Sequence, residues 1–169
     1  MLRAPVLGDA PEFVAAMLAS RALHRPWASP PSSAAAFAQL LERAAGAAFA
    51  ARLVCLREDG AIAGYFNVSQ IVRGPFQSAY LGYAAVAAHA GHGYMTEGLE
   101  LLLGEAFTGL GLHRLEANIQ PGNVASLALV ARAGFVREGY SERYLKIAGR
   151  WRDHERWAIR AEQWRARRR

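Results

Sequence analysis

Tyr80-Leu81-Gly82-Tyr83-Ala84-Ala85-Val86-Ala87-Ala88-His89-Ala90-Gly91-His92-Gly93-Tyr94-Met95-Thr96 is the stretch whose reading decides the fold. A β-rich segment, Gln77 to Ala87, runs into two closely spaced glycines. From Thr96 to Phe107, Leu99, Leu102, Leu103 and Ala106 then fall on one helical face. Strand, glycine turn and helix in that order read either as a plain turn or as an anion-binding device. Successive backbone N–H groups converge at the turn, the helix dipole is positive there, and glycine lets a ligand oxygen approach closely. The stretch lacks the Gly-Lys-Ser/Thr of a Walker A loop. It also lacks the third glycine and the distant acidic residue of the dinucleotide fingerprint.

Working outward, the N-terminal side holds two helices and three strands. Asp9 before Pro11 to Leu18 reads as an N-cap followed by apolar residues at helical spacing. Pro26-Trp27-Ala28-Ser29-Pro30-Pro31 reads as a loop, and Ser32 and Ser33 open a second helix that ends near Gly46. Phe49 to Arg57, Ala61 to Val72 and Gln77 to Ala87 are strands separated by Glu58-Asp59-Gly60 and Arg73-Gly74-Pro75. On the C-terminal side, His113 to Ile119 is a strand and Asn123 to Ala133 a helix. Phe135 to Ile147 and Arg150 to Ile159 form a hairpin across Ala148-Gly149. The order βααβββαβαββ predicts an α+β chain with a mixed, mostly antiparallel sheet flanked by helices, one domain over 1–169.

Two words beyond the glycine turn carry, with the turn itself, a family resemblance: Asn123-Val124-Ala125-Ser126 opening a helix and Gly134-Phe135-Val136-Arg137-Glu138-Gly139 after it. Together they resemble the GNAT superfamily of acetyl-CoA-dependent N-acetyltransferases. Arg25-Pro26-Trp27, Val72-Arg73-Gly74, Tyr80-Leu81-Gly82-Tyr83, Tyr144-Leu145 and Gly149-Arg150-Trp151-Arg152-Asp153-His154 are similar to ribosomal-protein-alanine N-acetyltransferases of RimJ/RimL type. The resemblance implies the GNAT fold and acetyl-CoA as co-substrate. The cofactor's pyrophosphate would sit on the amides of Ala90, Gly91, His92, Gly93 and Tyr94, and its pantetheine arm beside Ala85 and Val86. Asn123 matches the asparagine that holds this arm. Ser126 matches the serine that protonates the departing thiolate, and Trp27 and Tyr83 lie near the acceptor cleft in the family. Two positions depart from the pattern: Ala88 and Ala90 stand where the family usually carries Gln or Arg.

The chemistry implied is direct attack of an amine on a thioester, with a backbone N–H near Val86 stabilising the oxyanion. A base for the amine is the missing piece. The glutamate that RimL-type enzymes use falls at Leu145, which cannot accept a proton. Glu142, Glu116, Asp153 and His154 are the substitutes, Glu142 foremost. Weak basicity favours α-amines as acceptors. An α-amine is about one tenth neutral at pH 7, and a lysine amine only on the order of a few parts in ten thousand. The acceptor expected is therefore the N-terminus of a protein, a ribosomal protein by the resemblance. A small-molecule amine is the alternative, and a catalytically weak module bound to ribosome or RNA a third reading.

Composition bounds these readings. Of 169 residues 53% are hydrophobic and 20% charged, and the lone Cys55, inside the apolar run Leu53 to Leu56, reads as core. No stretch approaches the roughly 18 apolar residues of a membrane span, and Met1-Leu2-Arg3 leads to Pro5 and Asp9 rather than to a leader. A cytoplasmic protein without metal is expected, monomer or homodimer. The formal charge of +6 is uneven, because residues 1–136 hold nine basic and nine acidic side chains. The excess lies beyond, ending in Arg165-Ala166-Arg167-Arg168-Arg169, read as a solvated basic tail or a tether to ribosomal RNA.

Overall fold

A computed structural model describes residues 1–168; Arg169, the end of the basic tail, lies outside the described residues. Seven strands form one sheet in the order β1-β2-β3-β4-β5-β7-β6. They are β1 (Leu2–Arg3), β2 (Phe49–Cys55), β3 (Ile62–Val72), β4 (Ser78–Ala85), β5 (Arg114–Ile119), β6 (Val136–Ile147) and β7 (Arg150–Arg160). Every neighbouring pair is antiparallel except β4 and β5. The expected GNAT fold, a mixed and mostly antiparallel sheet flanked by helices, is found.

Alternation along the strands sends side chains to two cores, one on each face of the sheet. On one face Phe49, Ala51, Leu53 and Cys55 of β2, with Tyr65 of β3 and Ala84 of β4, pack under α1 (Ala10–Ala19) and α3 (Ala34–Ala44). Phe13 and Met17 of α1 and Phe37 and Leu40 of α3 complete that layer. On the other face Phe66, Val68, Leu81, Leu115 and Ile159 meet Leu99, Leu102 and Leu103 of α4 (Tyr94–Gly104) and Val130 of α5 (Val124–Arg132). Each of these large side chains contributes about 1.5–3 kcal/mol through removal from water. Gly98 brings α4 close to the sheet, since a Cβ there would lie 2.8 Å from Val54 Cγ2 and 3.0 Å from Phe66 Cε2.

Local capping follows the sequence in two helices and departs from it in one. Ser33 Oγ accepts from the Ala36 N–H at 3.1 Å at the start of α3. Asn123 Oδ1 accepts from the Ser126 N–H at 3.2 Å at the start of α5. Asp9 does not cap α1. Its carboxylate turns back to the Val6 N–H at 2.7 Å and to the Arg3 guanidinium, and that pairing holds its pKa below the usual carboxylate range. A four-residue helix α2 (Arg21–His24) leads into the Pro26–Pro31 loop. Arginine 52 pairs with Glu105, where α4 gives way to a π-type turn over Glu105–Gly109.

The basic tail is the main correction. Ala161–Ala166 form a further helix, α6, whose Trp164 is buried against Phe107 with ring centroids 5.6 Å apart. Arg167 donates to the Arg132 carbonyl at 2.8 Å and to the Ala133 carbonyl, the open end of α5, and it pairs with Glu100 at 3.5 Å. Orphan carbonyls at a helix C-terminus attract such a cation. This arginine is therefore a cap rather than a free end, while the Arg165 side chain is exposed. Among the described residues, no helix is long and apolar enough to cross a membrane, and no three His, Cys, Asp or Glu residues cluster as a metal site.

Candidate active site

Strand β4 runs beside β5 only from Ser78 to Tyr80, where it meets Arg114 to Glu116. Beyond Tyr80 the two strands part, and a cleft of about 690 Å³ opens at the gap. Its walls include Trp27, Tyr83, Ala85, Asn123, Ser126 and Arg132, and its floor reaches the turn at Ala90, Gly91, Gly93 and Tyr94. Most residues singled out from sequence are thus gathered in one place.

Backbone groups decide what the cleft can hold. The Val86 N–H donates to the Ala63 carbonyl at 2.9 Å, toward β3. Peptide groups alternate along a strand, so the N–H and carbonyl of Ala85 face the other way, into the gap. Near Val86 it is thus the Ala85 N–H that is open to the cleft, and the Val86 side chain is buried in the core instead of lining the cleft.

At the turn, the Ala90 N–H closes a short 3₁₀ turn by donating to the Ala87 carbonyl at 3.2 Å, so it is not free for a ligand. The N–H groups of Gly91, His92 and Gly93 have no acceptor among the described residues. Gly91 and Gly93 have φ of +81° and +87°, and a Cβ on either would meet nothing within 4 Å. Packing does not require glycine here; the backbone conformation and an approaching ligand do. With the N-terminus of α4 behind them, these amides suit a diphosphate. His92 is not among the residues lining the cleft; its ring is stacked on Tyr94 with centroids 6.0 Å apart and its Nδ1 is 3.0 Å from the Ala90 carbonyl.

Two hydroxyls meet on the opposite wall. Ser126 Oγ donates to the Tyr83 phenol oxygen at 2.7 Å, joining α5 to β4. Burial pushes the Tyr83 phenol up to about 12, so it keeps its proton throughout the neutral range. Asn123 uses Oδ1 to cap α5, which leaves its Nδ2 donor for a ligand in the cleft it lines. Trp27 is seated over Gly122, where a Cβ would be 3.1 Å from Cη2, and its carbonyl accepts from buried Gln120 Nε2 at 3.1 Å. Gln120 was not foreseen. It ties the Pro26–Trp27 loop to the end of β5 and so shapes one mouth of the cleft.

None of the bases weighed from sequence lies in the cleft lining. Glu142 is exposed on β6 and Leu145 is exposed as well. Glu116 pairs with Arg114 at 2.8 Å. Asp153 accepts from the Tyr140 phenol at 2.7 Å and from the Arg143 N–H at 2.8 Å. His154 is buried, with Nδ1 2.9 Å from the Arg152 carbonyl and a pKa lowered by burial. Sequence did not single out His24, which lies in the cleft wall beside Trp27.

Known proteins share this fold. The structure superposes on RimJ of Mycobacterium smegmatis in complex with CoA-disulfide with a TM-score of 0.86, at 30% identity, covering 95% of this chain and 81% of that one. The ribosomal-protein-S5-alanine acetyltransferase of Vibrio fischeri gives a TM-score of 0.85 at 26% identity, covering 96% and 93% of the two chains. The [ribosomal protein uS5]-alanine N-acetyltransferase of Escherichia coli (strain K12) is 39% identical over 107 residues, 63% of this chain and 55% of that protein. A probable N-acetyltransferase of Bacillus subtilis (strain 168), YjcK, is 42% identical over 101 residues, 60% and 56%. These matches span little more than half the length of the two relatives. Residues 1–136 match the acetyltransferase (GNAT) domain, and with the parted β4 and β5 strands and the glycine turn above α4 in place, the chain belongs to the GNAT acetyltransferase family.

Proposed function

We propose that this protein transfers an acetyl group from acetyl-CoA to the α-amine at the N-terminus of a protein, a ribosomal protein or another small basic one. The observation that carries the reading is the cleft itself, which joins free amides at an α4 N-terminus to a strand edge and a paired serine and tyrosine. Acetyl-CoA, when bound, supplies the activated acyl group. The Gly91, His92 and Gly93 amides would hold its diphosphate. The edge of β4 at Tyr83 would pair with its pantetheine amides like an added strand, and Asn123 Nδ2 would donate to that arm. Ser126, backed by the protonated Tyr83, sits where a hydroxyl can hydrogen-bond a departing thiolate, and the Ala85 N–H where an oxyanion develops.

Acceptor choice rests on the absence of carboxylates. Among the described residues no Asp or Glu lines the cleft, while Leu23, Trp27 and Ala28 give it an apolar wall. A polyamine brings several cations and calls for acidic partners. An N-terminal amine next to a small side chain does not. Spermidine N-acetyltransferase of Vibrio cholerae, crystallised with CoA and spermine, has a TM-score of 0.82 but only 22% identity, and this likeness supports the fold alone. The relatives named for ribosomal-protein alanine acetylation support a protein acceptor.

The test is thiol release from acetyl-CoA with acceptors offered in parallel, the products identified by mass spectrometry. A peptide with a free N-terminal alanine is expected to be acetylated on its α-amine. The same peptide with a blocked N-terminus and an internal lysine, and spermidine, are expected to turn over at least about a hundredfold more slowly, from the neutral-amine fractions. Preference for spermidine or the lysine side chain refutes the reading.

A further inference from the structure

A second cavity, of about 430 Å³, opens on the face of the sheet that carries α1 and α3, and the acetyl transfer proposed above makes no use of it. Its walls are the loop before α3, Gln39 and Arg43 of α3 itself, and Phe49, Tyr65 and Asn67 of β2 and β3. Among the described residues that line it, Arg43 alone carries a charge. Its guanidinium carbon stands 4.0 Å from the centre of the Phe49 ring, which steadies the cation over the start of β2. Among the described residues no carboxylate pairs with it. The Gln39 and Asn67 amides add hydrogen-bond donors. Arg43 and Gln39 are exposed and Asn67 is half-buried, so the cavity is open to a ligand arriving from solvent.

This cavity continues the first one along two walls. Gly82 and Ala84 face the same side of β4, since side chains alternate along a strand. Ala84 lines the first cleft, and Asn67 lines the second from above Gly82, where a Cβ would lie 2.8 Å from its Nδ2. The loop after α2 does likewise, with Trp27 and Ala28 on the first cleft and Ser29 to Ser32 on the second. A polypeptide whose N-terminus reaches toward Ala85 is thereby led past Asn67 to Arg43. In the sheet Tyr65 stands opposite Ala84, and Ser69, four residues further along β3, stands opposite Phe49. That interval is about 13 Å at strand rise. An extended chain advances about 3.3–3.6 Å per residue, and an acidic side chain reaches back several more, so the third or fourth residue comes level with Arg43.

We propose that this cavity is a subsite for an acidic side chain at the third or fourth position of the acceptor polypeptide, and that Arg43 is the residue that selects it. The proposal rests on the α-amine acetylation above and names the acceptor which that reaction prefers. The chemistry is one-sided. A carboxylate gains a charge-assisted hydrogen bond from a cation that has no other ion partner, whereas a lysine or arginine side chain meets a like charge. Selection acts on local sequence, so a protein that is basic overall qualifies when an acidic residue follows its N-terminus closely. Arg43 also stands in the last turn of α3, where a cation suits the helix dipole. Selectivity between acceptors, rather than rate alone, therefore separates recognition from a structural role.

Three peptides, Ala-Ser-Glu-Glu-Gly, Ala-Ser-Gln-Gln-Gly and Ala-Ser-Arg-Arg-Gly, are offered with acetyl-CoA to the whole chain, and the α-acetylated products are quantified by mass spectrometry. In wild type kcat/KM is expected to fall about fivefold from the Glu to the Gln peptide, and about tenfold or more from the Glu to the Arg peptide. The change is expected in KM, because the contact is the same in the ground and transition states. Arg43→Gln is expected to bring the three peptides within about twofold of one another, and Arg43→Glu to invert their order, with the KM for acetyl-CoA close to wild type. A merely structural role lowers all three rates together and leaves their order intact. A second measurement needs no variant: the wild-type preference for the Glu peptide is expected to shrink in about 1 M salt, where charges are screened beyond about 3 Å. Equal wild-type rates with the Glu and Arg peptides, a preference indifferent to salt, or an order unchanged in R43E overturns the subsite while leaving the Gln peptide a substrate. Failure of the wild type to acetylate any of the three on its α-amine instead overturns the functional reading, and the subsite with it.

Discussion

Ser126 and Tyr83 divide one task between a small hydroxyl and a large one. A serine hydroxyl alone is a poor proton donor. The Ser126 hydroxyl donates to the Tyr83 phenol at 2.7 Å, and once it turns its proton toward a leaving thiolate the same phenol, kept neutral by burial, can donate back to it. Ser126→Ala is expected to lower kcat about tenfold to a hundredfold, with the KM for acetyl-CoA little changed. Tyr83→Phe leaves the serine in place and is expected to cost less, and the double variant less than the product of the two, because they act as a unit. Steady-state kinetics on the three proteins check this. Legibility at this scale follows from distance in sequence. Asn123 and Ser126 were readable because both sit in one short word at a helix start. The place of His24 in the cleft wall was not, because it is set by a carbonyl 61 residues away. Glu142 was credited as a carboxylate on the right strand, but the strand turns that side chain out to solvent.

Among the elements, α5 shows how one residue serves fold and site together. Asn123 caps the helix through Oδ1 and offers Nδ2 to the cleft, so two substitutions separate the roles. Asn123→Asp keeps the acceptor and removes the donor. It is expected to retain wild-type stability and to raise the KM for acetyl-CoA about five- to tenfold, the loss of one hydrogen bond. Asn123→Ala loses both and is expected to cost about 1 kcal/mol of stability as well. Urea unfolding and KM measurements on the pair distinguish the two functions. Element order was legible from period and turn residues. The ends were less so: α4 begins at Tyr94, two residues before the first periodic position, because Gly93 itself starts the helix in a left-handed conformation. Helix α6 escaped notice because six residues rich in alanine and charge carry no period, and only Trp164 meeting Phe107 reveals its docking.

Across the whole molecule, the uneven charge that pointed to nucleic acid is partly structural. Within the basic excess, Arg137 pairs with Glu155 at 3.0 Å and Arg167 closes α5. The mixed sheet was predictable from the strand–helix–strand passage between β4 and β5, since a connection of that kind returns a parallel strand. What no local pattern reveals is how little backbone joins the two halves. Strands β1 to β4 form one antiparallel block and β5, β7 and β6 another, and the register between them spans Ser78 to Tyr80 against Arg114 to Glu116. That seam gives the protein a mechanical character. A ligand lying along the open part of it bridges two blocks that the main chain barely stitches, and so acts as a rivet. Saturating CoA is then expected to raise Tm, by about 2.7 kcal/mol of added stability at a hundredfold excess over its Kd. Amide exchange should slow on both sides of the gap, at Leu81 to Ala85 and at Ala117 to Ile119, although of these two segments the first alone would pair with the pantetheine arm. Slowing confined to the glycine turn would mean that the blocks move independently of what they hold.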